Sequence, residues 1–425
     1  MNLHLSEDLP DSGALLARRQ QALGPAYRHF YETPLHLVQA EGVWMVDVAG
    51  RRYLDFYNNV PSVGHCHPAV IEAMTRQAAR LNTHTRYLHD GVVAYAERLL
   101  ETFPDPLSQV MFTCTGSEAN DLALRICQSV TGGEGVIVVG RSYHGVTGDL
   151  AKISTSLGPA TAPAPHVRVV EAPTPGGDVA ARFEVGVRGA LASLEAAGIR
   201  PAMLIFDTVF ASQGLYTDPR GFVAGGIRAA QQVGALFVAD EVQSGLARPG
   251  EAMWAFLRHD VAPDIVTCGK PLGNGHPLAA MVTRPDLLRE FGEKTRYFNT
   301  FGGNPVSAAV GLAVLDVIRD EGLMENALVR GAQLLAGLSE VASRHDAAGA
   351  IRGAGLYGAL EVLGTDGSPS PERAARLVEL LREAGVLVGV CGERNECLKI
   401  RPLLPTQDQH LDQFLSALDA SLARL

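Results

Sequence analysis

Seven short, almost wholly apolar runs rich in Val, Ile and Leu mark the middle of the chain: Val110–Thr113, Val136–Gly140, Val167–Glu171, Met203–Phe206, Leu236–Asp240, Ile265–Cys268 and Ala279–Thr283. Helical patterns or loops separate them. A strand buried on both faces shows no polar alternation, so the pattern predicts a mostly parallel, seven-stranded sheet covered by helices, an α/β fold. In such sheets ligands bind beyond the carboxyl ends of the strands, which directs attention to the residues just after each run.

The two ends read differently. Leu37–Phe56 has the pattern of an antiparallel hairpin, with turn candidates at Glu41-Gly42 and Ala49-Gly50. Beyond residue 305, helical patterns fall at about 306–322, 325–345, 371–384 and 407–424, with strand-like stretches Leu356–Leu363, Val386–Cys391 and Leu398–Ile400 between them. The expected organisation is a large domain at 57–305 and a smaller α+β domain at 306–425, joined by the N-terminal segment 1–56.

With 425 residues, 47% of them hydrophobic, the chain can bury a core on that two-domain scale. Its net charge of −10 argues against nucleic acid or an anionic membrane as partner, since both attract basic surfaces. No apolar run approaches the roughly 18 residues of a transmembrane helix. The start, MNLHLSEDLPDSG, is acidic and has no signal-like apolar region. The six cysteines, at 66, 114, 127, 268, 391 and 397, form no C-x-x-C motif and read as reduced, mostly buried thiols. A cytoplasmic location is expected. The Pro/Ala stretch Gly158–His166 reads as a loop.

Five segments carry the candidate chemistry. In Thr115-Gly116-Ser117-Glu118, after the first run, Gly116 permits a close backbone approach and Ser117 stands at an expected N-cap. The free N–H groups of that helix start suit a phosphate, although the string also reads as an ordinary capped helix. Tyr143, after the second run, could stack on a flat ring or simply pack. Asp240 and Glu241 end a buried strand, where a carboxylate needs a partner; a protonated pyridine nitrogen would serve, and a metal or a capping role are the alternatives. Lys270, one of only four lysines, ends another strand and enters a Gly-rich loop, a setting for a Schiff-base lysine. Gly273 and Gly275 lack the spacing and the following helix of a dinucleotide loop. Phe298–Pro305, with Thr300 and two glycines, reads as a second phosphate loop or a plain turn. The ordered set suits an aromatic phosphate aldehyde. His65 and His67, flanking Cys66, read as packing in a turn, and no metal is expected.

On these motifs the chain resembles the class III aminotransferases of pyridoxal phosphate (PLP) fold type I, from about Pro34 to the C-terminus. The resemblance implies that Gly116 and Ser117 bind the PLP phosphate and Tyr143 stacks on the ring. It implies that Asp240 pairs with the pyridine nitrogen, Val242 packs on the other ring face and Gln243 reaches the ring hydroxyl. Lys270 is then the Schiff-base lysine, and Thr300 serves the partner subunit's cofactor in a homodimer. VGHCHP (63–68), NTHTRYLHD (82–90), GKPLGNGHP (269–277) and the 297–305 segment resemble the ethanolamine-phosphate and phosphohydroxylysine phospho-lyases within this family. Ser212 stands where many dual-substrate members carry a Glu, and Lys399 where they carry an arginine. Lys399 and Arg401, two apart on a strand, would face one way and could hold phosphate; a solvated cationic edge is the alternative. Arg86 and Tyr87 are further substrate-pocket candidates. The implied activity is a phospho-lyase acting on a small phosphorylated amine such as O-phosphoethanolamine. The alternative is an aminotransferase passing an amine to pyruvate or glyoxylate.

Overall fold

The computed structural model describes residues 11–158, 160–174 and 176–425; the acidic residues 1–10, and Pro159 within the expected 158–166 loop, lie outside the described residues. Near the N-terminus, β1 (Leu37–Glu41), β2 (Trp44–Asp47) and β3 (Arg52–Asp55) form an antiparallel meander rather than a single hairpin. Both turn candidates close a turn: Gly42 and Gly50 take φ of 56° and 80°, where a side chain is disfavoured.

The central sheet holds β4 (Gln109–Thr113), β5 (Gly135–Val139), β6 (Val167–Val170), β7 (Pro201–Phe206), β8 (Leu236–Asp240), β9 (Ile265–Cys268) and β10 (Ala279–Thr283). These are the seven apolar runs. Their order is β4-β10-β9-β8-β7-β5-β6, and only β10 runs antiparallel to its neighbours. Successive residues supply opposite cores. Ile137, Val139, Leu204, Phe206, Phe237 and Ala239 enter one, and Val136, Val138, Met203, Ile205, Leu236 and Val238 the other. That two-sided burial explains why the runs lack alternation. Each fully buried Val, Leu, Ile, Phe or Met side chain contributes roughly 1.5–3 kcal/mol.

In the C-terminal third, helices Pro305–Asp320, Leu323–Ala342, Pro371–Glu383 and Asp408–Leu422 follow the expected periodicity. Strands β11 (Ala348–Gly353), β12 (Gly358–Val362), β13 (Val386–Leu387), β14 (Gly389–Cys391) and β15 (Cys397–Ile400) lie among them. β11 escapes a sequence reading because Ala-Gly-Ala carries little strand propensity. The expected strand Val386–Cys391 is split. β13 pairs parallel with β3, while β14 joins the sheet β11-β12-β15-β14. Among the described residues no helix is long and apolar enough to cross a membrane.

Asp55 anchors the junction after β3. Fully buried, it accepts from Tyr57 N–H (3.0 Å), Asn58 N–H (2.9 Å) and His65 Nε2–H (2.7 Å). Burial opposes its charge, but the His65 and Asn58 hydrogen bonds prevail and hold its pKa below the usual value. A depressed carboxylate stabilises the fold above its unfolded pKa, and that contribution is lost as pH falls through the folded value. Asp55→Ala strands a buried set of donors and is expected to cost about 3–5 kcal/mol, with the loss from wild type shrinking in acid. Urea titration at neutral and acid pH checks both; an equal loss at the two pH values would contradict the charge argument.

Candidate active site

The carboxyl ends of the central strands frame a cavity of about 290 Å³, lined by Thr115–Ser117, Asn120, Ser142–Gly145, Asp207, Ser212, Gln213, Asp240, Val242, Gln243 and Lys270. Seven of the candidates from sequence therefore meet in one place: Gly116, Ser117, Tyr143, Asp240, Val242, Gln243 and Lys270.

One cavity wall is the start of the helix Gly116–Thr131. Its N-cap is Thr115, not Ser117. Thr115 Oγ1 accepts from Glu118 N–H (3.1 Å) and the Glu118 carboxylate accepts from Thr115 N–H (2.9 Å), a reciprocal capping box. The T-x-x-E spacing carried that signal. The box leaves the Ser117 hydroxyl free of capping, and it accepts from Val146 N–H at 3.3 Å. Gly116 is required by crowding: a Cβ there would lie 2.8 Å from Val242. The helix start therefore offers unspent N–H groups and a hydroxyl to an anion.

Asp240, at the end of β8, is buried and triply held. It accepts from Asn120 Nδ2 (2.9 Å), from His144 Nδ1–H (2.7 Å) and from Val242 N–H (3.1 Å). Asn120 is itself fixed by Thr267 Oγ1–H (2.6 Å) and by the His144 carbonyl (2.8 Å). Asn120, His144 and Thr267 were not singled out from sequence; their links to Asp240 and to one another span up to 147 residues, so no local pattern announces them. The adjacent acid, Glu241, points elsewhere. It accepts from Thr208 Oγ1 and from the N–H groups of Ala255 and Phe256, and burial pushes its pKa up to about 7. The two acids thus divide into one at the cavity and one in the core.

Lys270 follows β9. Its amine lies 6.0 Å from the centre of the Tyr143 ring. Burial pulls its pKa below the usual lysine value, against the opposing pull of Asp240. A neutral amine is the nucleophilic and basic form. Asp207, also missed from sequence, lines the cavity with its carboxylate accepting from Val209 and Ala211 N–H at 3.1 Å. Burial, then the neighbouring Asp240 charge, raises its pKa.

Lys399 on β15 and Arg401 just beyond it face one way, onto Gln243. Gln243 Oε1 accepts from Lys399 Nζ (3.2 Å), Arg401 Nη1 (3.5 Å) and Tyr357 Oη (3.4 Å). Both cations are buried, at 6% and 8% exposure, so this is not a solvated edge. Among the described residues neither is paired with a carboxylate, and Arg401 Nε is buried without a partner. Burial first, and Arg401 second, pull the Lys399 amine down to about 7. Ser212 lines the cavity.

Three sequence candidates lie elsewhere. Thr300 is exposed and outside the cavity of its own chain. Arg86 sits over the Phe298 ring at 3.9 Å, and Tyr87 stacks on His84 at 5.0 Å, both on the surface beside the 297–301 segment. His65 and His67 bind Asp55 and Glu321 respectively.

Residues 26–422 match the family model described as aminotransferase class III. A solved phospholyase from Arthrobacter, in complex with phosphoethanolamine, is 44% identical with a TM-score of 0.94, covering 97% of this chain and 100% of that one. The alanine–glyoxylate aminotransferase 2-like protein of Drosophila melanogaster is 36% identical over 98% of this chain and 88% of the relative. The ethanolamine-phosphate phospho-lyase homolog 1 of Caenorhabditis elegans is 30% identical over 98% of this chain and 95% of the relative.

Proposed function

The chain belongs to the class III aminotransferases, pyridoxal-phosphate-dependent enzymes of fold type I, and from that premise we propose that it is a phospho-lyase for a small phosphorylated amine of the O-phosphoethanolamine kind. The observation that carries this reading is the buried pair Lys399 and Arg401, held against a neutral amide oxygen and, among the described residues, in no salt bridge with a carboxylate. Buried charge is normally paired. A substrate phosphate would complete the pair, with the guanidinium fork and the ammonium sharing its oxygens.

The cavity residues fit the cofactor. The start of helix Gly116–Thr131, with Ser117, suits its phosphate, Tyr143 and Val242 its ring faces, and Gln243 its ring hydroxyl. Asp240 is the acceptor for its ring N–H, and Lys270 the amine for its aldehyde. His144 Nε2 is a buried polar atom without a partner beside this site. When bound, PLP supplies an electron sink for charge developing on the substrate carbon next to nitrogen.

The protein's own groups then divide the work. Lys270, neutral, accepts the proton from that carbon. Asp240, held by Asn120 and His144, keeps a proton on the ring nitrogen. Lys399 and Arg401 bind the substrate phosphate and stabilise it as the carbon–oxygen bond breaks. Overall, O-phosphoethanolamine and water yield acetaldehyde, phosphate and ammonia, with no keto acid consumed. The same reading takes the working unit to be a homodimer in which the exposed Thr300 reaches the cofactor phosphate of the partner subunit.

Aminotransfer shares the proton abstraction and differs in returning a proton to the cofactor-derived carbon, and the Drosophila likeness favours it as the second reading. Holoenzyme incubated with O-phosphoethanolamine and no keto acid is expected to release phosphate, ammonia and aldehyde in equal amounts. No phosphate, together with turnover of alanine and glyoxylate, would overturn the phospho-lyase reading in favour of aminotransfer.

A further inference from the structure

Beneath the cation pair lies a feature with no part in the chemistry above. Cys391 on β14 and Cys397 on β15 are register partners in an antiparallel pair. Direct cross-strand partners have Cα atoms about 4.5–5.5 Å apart, within the roughly 4.4–6.8 Å that a disulfide spans. Both side chains enter the same small core, with Val209, Ala211, Leu215, Ala255, Tyr357 and Ala359. All six cysteines are free thiols, and no other two are register partners across a strand pair among the described residues.

We propose that Cys391 and Cys397 form a reversible dithiol–disulfide site, oxidised by hydrogen peroxide, on the strand that carries Lys399. Arg352 Nη2 donates to Cys397 Sγ at 3.1 Å, which sets a fixed positive charge against the pair. The buried thiols are adjacent and share the positive charges of Lys399, Arg352 and Arg401, which favour loss of one proton from the pair. The sulfur that ionises attacks and its neighbour resolves. The pair is buried beside the cavity: Gly392, next to Cys391, donates its N–H to the Ser212 carbonyl at 3.1 Å, and Ser212 lines the cavity.

The chemistry balances. The thiolate of the pair attacks one peroxide oxygen, the O–O bond breaks, and hydroxide leaves as water after taking a proton. The second sulfur then displaces the oxygen from that sulfenic acid, releasing a second water as the S–S bond forms. Two electrons pass from the thiols to the peroxide, and an added dithiol reverses the change.

The test uses reduced, full-length holoenzyme carrying Cys66→Ser, which removes the exposed thiol. After near-stoichiometric hydrogen peroxide, thiols titrated in denaturant are expected to fall by two and to return with dithiothreitol. Trypsin can cut after Arg394, between the two cysteines, so the bridge should appear as two peptides joined through Cys391 and Cys397 and separable by reduction. Cys391→Ser and Cys397→Ser should each prevent the loss. In at least one of these two variants a sulfenic-acid trap should label the cysteine of the pair that remains. The proposal is overturned if both thiols survive peroxide doses that oxidise Cys66 in the wild-type protein, or if the linked peptides contain other cysteines. Because the readout is thiol chemistry, it stands or falls separately from the substrate assignment.

Discussion

Lys270→Ala is expected to lose activity by at least about 10⁴-fold, since in the proposed reaction one substitution removes both the amine for the cofactor aldehyde and the base for the substrate proton. The position is specific. Only four lysines exist in the chain, and Lys152 and Lys294 are bound at the surface to Asp149 and Glu290. Lys270 alone lines the cavity, and its amine is biased toward the neutral form by burial. In wild type, borohydride reduction of the loaded enzyme should fix the cofactor to the peptide containing residue 270. In Lys270→Ala that label should vanish, along with the visible band of the attached cofactor, while noncovalent binding through Ser117 and Asp240 persists. Lys399 is the one other lysine near the site, with an amine pulled down to about 7. A reduced label mapped to Lys399 in wild type would refute the assignment of Lys270.

Asp240→Asn is expected to slow turnover on the order of a thousandfold. At a separation near 4 Å and an effective dielectric near 20, a carboxylate and a ring N–H⁺ attract by about 4 kcal/mol, and ~1.4 kcal/mol is a factor of ten in rate. Asparagine keeps the shape and removes the charge, so the ring nitrogen would give up its proton and the electron sink would weaken. Asn120, His144 and Val242 hold the Asp240 carboxylate in place by three hydrogen bonds. The amide oxygen of the asparagine can still accept from Asn120 and His144, while its nitrogen leaves Val242 N–H without an acceptor, so the variant should fold with a modestly lowered melting temperature. A spectroscopic readout separates this role from a structural one: the pH titration of the loaded enzyme's visible absorbance should shift in Asp240→Asn. An enzyme that retained both the wild-type rate and the wild-type titration would remove Asp240 from the proposed chemistry.

The sequence by itself determined the seven central strands and much of the cavity lining. A strand covered on both faces must be apolar throughout, so all seven central strands could be read from composition alone. The residues at their ends, Gly116, Tyr143, Asp240 and Lys270, could be read from position. The long C-terminal helices were equally legible, because one buried stripe imposes a 3.6-residue period. Tertiary structure alone decided what depends on distant chain segments meeting. It split Val386–Cys391 between two sheets, because β3 supplied a parallel partner for Val386 and Leu387. It brought Asn120 and His144 to Asp240 across separations of 120 and 96 residues. It divided the neighbouring acids Asp240 and Glu241 between cavity and core, and it buried Lys399 and Arg401 against the Gln243 amide oxygen. Burial and hydrogen-bond partnership set the charge state of such groups, and both are properties of the assembled neighbourhood that no single stretch of chain carries.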